Sequence, residues 1–125
     1  MNAASRALPH TTYGAVFGRV LADKRRAIGK EQEEVAGALG VSQSTYSRIE
    51  RGDISLSLDM LVRIADFFRV PPALLVGEAD NAANALRNVG VGVVPDRSLQ
   101  NSDVMLALLG GAALAALMSA ALAKK

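Results

Sequence analysis

The segment from Ser42 to Gly52 constrains the fold more than any other part of the chain. Ser42 is suited to cap the N-terminus of a helix, and Gly52 is suited to end one. A helical wheel groups Tyr46, Ile49 and Thr45 on one side. The opposite side, about 140° wide, carries the polar side chains Gln43, Ser44, Ser47, Arg48 and Arg51. The segment therefore predicts a short helix with one buried face and one exposed face.

The flanking sequence predicts further short helices with tight connections. Apolar residues recur at helical spacing over residues 13–28, 32–39 and 58–68. Gly40 is suited to end the second of these helices, and Ser57 to cap the fourth. Pro72 favours the start of a short fifth helix over residues 72–75. The predicted fold class is all-α, with five helices followed by a linker and a C-terminal apolar helix.

Composition divides the chain into four parts. Residues 1–11 are predicted to be a flexible polar arm in which His10 is exposed to solvent, and residues 12–76 to be the helical domain. Residues 77–103 are rich in Gly, Asn and Ala and are predicted to be a linker, although 81–88 contains helix formers and 89–94 resembles a weak strand. Residues 104–125 are predicted to form an apolar helix for self-association or membrane anchoring.

Several classes of function are excluded by the residues that the chain lacks. The sequence contains no Cys and a single His, which excludes thiolate clusters and multi-histidine metal sites. We expect no metal and no cofactor. The first residues lack the apolar stretch of a secretory signal, so a cytoplasmic location is expected.

A helix with these two faces suits the recognition of double-stranded DNA. The second helix of a helix-turn-helix pair enters the major groove, where its side chains form hydrogen bonds with base edges. Gln43, Ser44, Ser47 and Arg48 are side chains of this kind. Residues 1–80 contain ten Lys and Arg and ten Asp and Glu, so DNA binding must depend on the local placement of charge.

The sequence closely resembles the lambda-repressor-like, or Xre-type, helix-turn-helix family. The resemblance covers residues 17–76 and rests on Phe17-Gly18, on Gln32-Glu33-Glu34-Val35-Ala36 and above all on the run from Gly40 to Gly52. It implies that Gln43, Ser44 and Arg48 approach base edges. It also implies that Gln32 bonds a phosphate and supports Gln43, and that Ser47 and Arg51 contact the DNA backbone. An internal ion pair between Arg25 and Glu50 is implied as well.

The chain departs from the family pattern just before the predicted second helix. Lys30 and Glu31 stand where the family usually has an apolar residue. Glu31, Glu33 and Glu34 also lie near the expected path of the phosphates. These carboxylates are expected to weaken non-specific binding to DNA.

One copy of such a domain contacts few base pairs, so we expect a homodimer or higher oligomer on a two-fold symmetric site. Residues 104–123 carry no charge, and as one helix they are long enough to span the roughly 30 Å of bilayer hydrocarbon. The many Ala and Gly residues make insertion marginal. The small residues Gly110, Ala113, Ala116 and Ala120 instead suit close helix packing against a second copy, and a tail that binds another protein is a third alternative.

The sequence thus predicts a sequence-specific DNA-binding transcriptional regulator, and the resemblance implies a repressor that acts as a dimer on a two-fold symmetric operator. Two alternatives remain: a membrane-tethered adaptor, which would be held at the inner membrane and bind a protein partner, and the antitoxin of a two-protein module. An enzyme is not expected, because the helical domain is followed only by a linker and an apolar helix.

Overall fold

In the computed structural model, residues 8–95, 106–108 and 111–123 are described. Helices account for most of them, which confirms the all-α class. The six helices are α1 (Tyr13–Ala27), α2 (Gln32–Leu39), α3 (Gln43–Arg51), α4 (Leu58–Phe68), α5 (Pro72–Asn88) and α6 (Gly111–Ala123). The three short strands are β1 (Leu8–Thr12), β2 (Gly92–Val94) and β3 (Leu106–Leu108).

Side-chain caps and glycines set the bounds of the central helices. The hydroxyl oxygens of Thr12, Ser42 and Ser57 each accept a hydrogen bond of 3.1 Å from the backbone N–H three residues later, at the start of α1, α3 and α4. Gly40 and Gly52 end α2 and α3 with φ of 76° and 73°. Both adopt the left-handed conformation that glycine tolerates best. The caps predicted at Ser42 and Ser57 are confirmed.

The core lies where α1, α2, α3, α4 and α5 meet. Tyr46 and Ile49 on α3 are buried, as the helical wheel predicts, while Phe68 is only half-buried at the edge of the core. The fully buried large side chains of the other four helices are Val16, Leu21, Val35, Ile64, Leu75 and Leu86. Each large apolar side chain that is buried stabilises the fold by about 1.5 to 3 kcal/mol. This burial is the main contribution that holds the helices together.

Helices α1 and α3 approach each other closely where they cross. A Cβ atom added at Gly18 would overlap the carbonyl group of Glu50 and would lie 2.7 Å from the carbonyl oxygen of Ile49. Gly52 is similarly pressed against the backbone of Ala15 and Gly14. The backbone of α1 thus lies directly against the C-terminal half of α3, and only glycine at position 18 allows this contact.

Helix α5 is much longer than predicted. It runs through Asn88, so residues 77–88 are helical and not the start of a linker, and the helix formers noted over 81–88 belong to this helix. Leu75, Ala79, Ala82 and Leu86 form a buried stripe along it. The Gly and Asn content of this segment indicates a linker, but the helical spacing of its apolar residues prevails because it buries them in the core.

The N-terminal segment also differs from the prediction of a flexible arm. Leu8–Thr12 is the central strand of a three-stranded parallel sheet with the order β2-β1-β3. His10 lies opposite Gly92 in β2 and Leu108 in β3, and it is fully buried rather than exposed. Both partner strands are distant in sequence, and a local pattern cannot reveal such pairing. Residues 1–7 lie outside the described residues.

The predicted single helix over residues 104–123 is divided into β3 and α6. Leu114, Met118 and Ala121 of α6 are buried, and the helix packs against α5 and α1. Ala113, Ala116 and Ala120 are exposed on its outer side, whereas Gly110 lies outside the described residues. Within the ranges 8–95, 106–108 and 111–123, no helix combines the length and apolar character needed to cross a bilayer.

The close contact between α1 and α3 generates a stability prediction. Replacing Gly18 by Ala should lower the free energy of unfolding by about 1 to 3 kcal/mol, because the new methyl group meets backbone that cannot rotate away. Gly37→Ala is the control, since nothing lies within 4 Å of a Cβ atom there. That change in the middle of α2 should raise stability by about 0.5 to 1 kcal/mol. Urea unfolding of both variants measures the difference, and equal stabilities would contradict the close packing.

Candidate nucleic-acid interface

The outer face of α3 is open to solvent along its length. Gln43, Ser44, Arg48 and Arg51 are exposed, and Ser47 is half-buried. On its inner side α3 packs against α1 and α2. The five polar residues predicted from the helical wheel therefore share one accessible surface, which is called here the outer face of α3.

A buried ion pair fixes the inner side of this helix. Arg25 Nε lies 2.7 Å from Glu50 Oε2, and Arg25 Nη2 donates to Glu50 Oε1 at 3.1 Å. The two side chains are 8% and 6% exposed. Arg25 Nη1 also donates to the Lys30 carbonyl oxygen at 2.9 Å. One guanidinium group therefore joins α1, the turn before α2, and α3.

Two glutamines extend this ion pair to the surface. Gln32 Nε2 donates to Glu50 Oε1 at 2.8 Å, and Gln43 Nε2 donates to Gln32 Oε1 at 2.8 Å. A continuous series of polar contacts thus leads from Arg25 through Glu50 and Gln32 to the exposed amide of Gln43. The contact between Gln32 and Gln43 has the arrangement that the family resemblance implies. The bond from Gln32 to Glu50 cannot be predicted from the sequence, because no local spacing relates these two residues.

The electrostatics of this cluster favour a charged Glu50. Burial alone would raise the pKa of Glu50, but the hydrogen bonds from Arg25 and Gln32 outweigh it and hold the pKa below its ordinary value. The hydrogen bond to Glu50 raises the pKa of Arg25. Burial, reinforced by the neighbouring Glu50 carboxylate, strongly raises the pKa of the Tyr46 hydroxyl. Glu50 is therefore an ionised hydrogen-bond acceptor at neutral pH.

The C-terminal half of the outer face carries two arginines in different surroundings. Arg51 Nη1 donates to Ser47 Oγ at 2.7 Å, and Arg51 Nε lies 2.9 Å from Asp53 Oδ2. Arg48 is exposed and forms no ion pair with any described residue. Asp53 was not singled out from the sequence, although its position two residues after Arg51 allows the pairing. Arg48 is consequently the arginine of α3 that is better placed to meet a new partner.

The N-terminal ends of α2 and α3 border an open depression of about 690 Å³. Its lining combines basic, acidic and amide side chains: Arg25, Arg26, Glu31, Gln32, Glu33 and Gln43. Glu31 itself serves the start of α2, where its backbone N–H donates to Glu34 Oε1 at 2.9 Å. The Glu31 side chain is exposed to solvent, so a carboxylate is accommodated where the family usually has an apolar residue. The acidic lining lowers the general attraction of the depression for polyanions.

The described residues were also compared with the arrangement that a metal site requires. Among the residues that the structure describes, no group of three or more His, Cys, Asp or Glu side chains is arranged to hold a metal ion. The outer face of α3 presents exposed hydrogen-bonding side chains on a helix whose inner side is packed against α1 and α2.

Comparison with known proteins identifies relatives of the central helices. A helix-turn-helix family model matches residues 21–75. The chain is similar to the cryptic phage CTXphi transcriptional repressor RstR of Vibrio cholerae, with 35% identity over 65 residues. That similarity covers 52% of this chain and 59% of the repressor, so the chain spans less than two thirds of the length of this curated relative.

Two solved structures are similar over about half of the chain. The clp gene regulator ClgR from C. glutamicum has 26% identity and a TM-score of 0.53, over 56% of this chain and 91% of its own. The restriction-modification controller protein C.AhdI from Aeromonas hydrophila has 31% identity and a TM-score of 0.47, over 49% of this chain and 92% of its own. The likeness to ClgR agrees with the helical arrangement described above.

The buried ion pair generates a prediction about stability and pH. Replacing Glu50 by Gln leaves Arg25 buried without its anion, which should cost about 3 to 5 kcal/mol at neutral pH. A carboxylate with a lowered folded pKa stabilises the fold above its unfolded pKa, and this contribution disappears as the pH falls through the folded pKa. The cost of Glu50→Gln should therefore shrink as the pH falls below the ordinary range of a glutamate.

Denaturant unfolding of the natural chain and of Glu50→Gln, measured between about pH 7 and about pH 3, tests this expectation. Asp23→Asn is the control, because Asp23 pairs with Arg19 at 3.4 Å and is 65% exposed. A helical pair at i, i+4 spacing whose carboxylate is exposed contributes about 0.3 to 0.5 kcal/mol. A pH-independent cost for Glu50→Gln would contradict the assignment of an ionised Glu50.

Proposed function

The chain belongs, through residues 21–75, to the lambda-repressor-like (Xre-type) helix-turn-helix family, and we propose that it is a sequence-specific DNA-binding transcriptional regulator. We further propose that it acts as a dimeric repressor on a two-fold symmetric operator. The name of the Vibrio cholerae relative, a transcriptional repressor, supports the direction of regulation.

One observation carries this proposal: the outer face of α3 is free, while its inner side is rigidly held. Tyr46 and Ile49 are buried, Gly18 allows backbone contact with α1, and Glu50 is bound by Arg25. A helix that must lie in a major groove about 12 Å wide needs this combination. Its polar side chains must reach base edges without the helix itself shifting on its support.

In the proposed complex, the side chains of the outer face of α3, together with Gln32 of α2, make two kinds of contact with DNA. Gln43, Ser44 and Arg48 contact base edges, with Ser47 beside them, and these contacts provide specificity. Arg51, which Ser47 and Asp53 hold in place, and Gln32 contact phosphates and position the domain. Because residues 1–80 have no net charge, counterion release adds little affinity, and the base contacts must carry much of the selectivity.

A second copy is needed to complete the proposed operator, and the surface beside α4 suits it. A groove of about 630 Å³ runs from Gly52 and Asp53, at the end of α3, to Leu58 and Leu61 on α4. Leu58 is 78% exposed, which is unusual for a large apolar side chain beside an apolar groove. Because this groove begins at the end of α3, a copy bound here would lie close to that helix, as the binding of two half-sites about 34 to 36 Å apart needs.

The outer side of α6 is the alternative surface for self-association. Its large side chains point inward, so that mainly Ala113, Ala116 and Ala120 remain outside. In water, association is driven by buried apolar area, and alanines supply less of it than Leu58 and its neighbours. We therefore propose the groove beside Leu58 as the dimer contact.

The dimer contact is tested by Leu58→Asp and by the matched variant Ala116→Asp. Sedimentation equilibrium should find Leu58→Asp monomeric, because a carboxylate buried at an apolar contact loses its hydration. Ala116→Asp should remain dimeric. The reverse result would assign self-association to α6, and dimers in both variants would contradict both surfaces.

The base contacts are tested by selecting binding sites from a random DNA pool and titrating variants against them. Arg48→Ala should lose about 1 to 3 kcal/mol on the selected site and relax the preference at one base position. Arg87→Ala, at the far end of α5, is the control and should bind as the natural chain does. An equal loss on all sequences would mean that Arg48 contacts only phosphate, and failure to select any site would contradict the proposed function.

A further inference from the structure

We propose that a cleft between α1, α5 and α6 binds a small uncharged molecule that has an apolar body and one hydrogen-bonding group. The cleft has a volume of about 380 Å³. Small-molecule sites in proteins occupy about 300 to 1,000 Å³ and often lie between packed helices. This inference goes beyond the proposed function and does not depend on it.

Three helices form the cleft, and one of them lies outside the residues that match the family model. The apolar lining comes from α1, α5 and α6 and consists of Val20, Ala27, Ala82, Met118 and Leu122. The family model ends at residue 75, whereas α6 begins at Gly111. The cleft therefore combines the helix-turn-helix domain with a part of the chain that the family model does not cover.

The cleft lies on the side of α1 that is turned away from α3. Gly18 and Arg25 are the residues through which α1 contacts Glu50 of α3. On a helical wheel, Val20 and Ala27 lie about 140 to 180° away from these two residues. A ligand in the cleft would leave the outer face of α3 free, so its binding can be measured whether or not the chain binds DNA.

The floor of the cleft is apolar and can adapt to the shape of a ligand. Val20, Ala82 and Met118 are almost fully buried, and Leu122 is half-buried. A methionine side chain has three rotatable bonds and a polarizable sulfur, so Met118 can adjust to different apolar groups. An apolar body that enters the cleft exchanges water for contact with these side chains, which is favourable.

The charged groups at the rim of the cleft already have partners. Lys24 Nζ lies 3.0 Å from Glu78 Oε1 and 3.2 Å from Glu78 Oε2. Asp23 Oδ1 lies 3.4 Å from Arg19 Nη2. A charged ligand would have to displace one of these partners, whereas an uncharged ligand would not. The rim therefore favours an uncharged ligand.

One polar group at the rim is available for a hydrogen bond. Asn81 lines the cleft, its side chain is exposed, and it forms no hydrogen bond with any described residue. A side-chain amide has both a donor end and an acceptor end. Asn81 can therefore bind a hydroxyl, a carbonyl or an N–H group of the ligand, which accounts for the single polar group in the proposed class.

Two fluorescent probes that share one aromatic frame test the proposed class of ligand. Phenylnaphthylamine is uncharged and carries one N–H group, whereas anilinonaphthalene sulfonate adds an anionic group to the same frame. Fluorescence titration of the full chain should show binding of phenylnaphthylamine at one site per chain. The sulfonate should bind at least about tenfold more weakly, because its charge has no free partner at the rim.

The position of the site is tested by Ala27→Phe, which places a ring at the mouth of the cleft. This variant should bind phenylnaphthylamine at least about tenfold more weakly, since the loss of two methylene-sized contacts is already enough for that change. Ala73→Phe is the matched control and should bind as the natural chain does. Ala73 is an exposed alanine of α5 that does not line the cleft.

The hydrogen bond is tested by Asn81→Ala, with Asn88→Ala as its control. Loss of one hydrogen bond should weaken the binding of phenylnaphthylamine about threefold to tenfold in Asn81→Ala. Asn88 is exposed at the end of α5 and does not line the cleft, so its replacement should have no effect. Circular dichroism shows which variants are folded, and if Ala27→Phe is not, Asn81→Ala decides.

Several results would overturn the proposal. If phenylnaphthylamine does not bind the natural chain, or binds Ala27→Phe and Asn81→Ala as tightly as the natural chain, the cleft is not the site. If binding is lost in Leu58→Asp but persists in Ala27→Phe, the probe occupies the groove beside α4 instead. Equal affinities for the two probes would contradict the preference for an uncharged ligand.

Discussion

The ion pair between Arg25 and Glu50 is the contact on which the rest of the arrangement depends. It connects α1 with α3, and the bonds to the Lys30 carbonyl and to Gln32 bring in α2. Buried ion pairs are often no more stabilising than apolar residues of the same volume, because both charges lose their hydration. An apolar pair could not, however, hold Gln32 in one orientation. The ion pair thus contributes more to the geometry of the surface than to net stability.

Helix α3 is held firmly on its inner side and left open on its outer side. Backbone contact at Gly18, the Ser42 cap and the burial of Tyr46 hold the helix from the inside and from its N-terminus. The outer face, by contrast, makes few contacts with the described part of the chain. Glu31 and Glu33 beside Gln32 reduce the general attraction for DNA, so that correct base contacts gain relative weight in the proposed recognition.

The sequence predicted most of the central helices, because each of them is specified locally. The caps at Ser42 and Ser57 and the stop at Gly52 mark helix ends, and helical spacing marks the buried faces. The strand containing His10 could not be predicted, since its partners are about 80 or more residues away in the chain. The division of residues 104–123 into β3 and α6 likewise depends on tertiary contacts with the sheet and with α5.

The candidate site was predicted as a set of residues but not as a connected structure. The wheel grouped the outer face of α3 correctly, and the family resemblance implied the Arg25–Glu50 pair. The bond from Gln32 to Glu50 and the pairing of Arg51 with Asp53 depend on side-chain rotamers and on helix crossing.

The most direct measurement for the whole account is pull-down of fragmented native genomic DNA with the full chain, followed by sequencing. The account predicts enriched fragments that share two symmetric half-sites about one helical turn apart, with enrichment lost when Gln43 and Arg48 are both replaced by Ala. Equal recovery of all fragments, or enrichment that survives this double replacement, would contradict it.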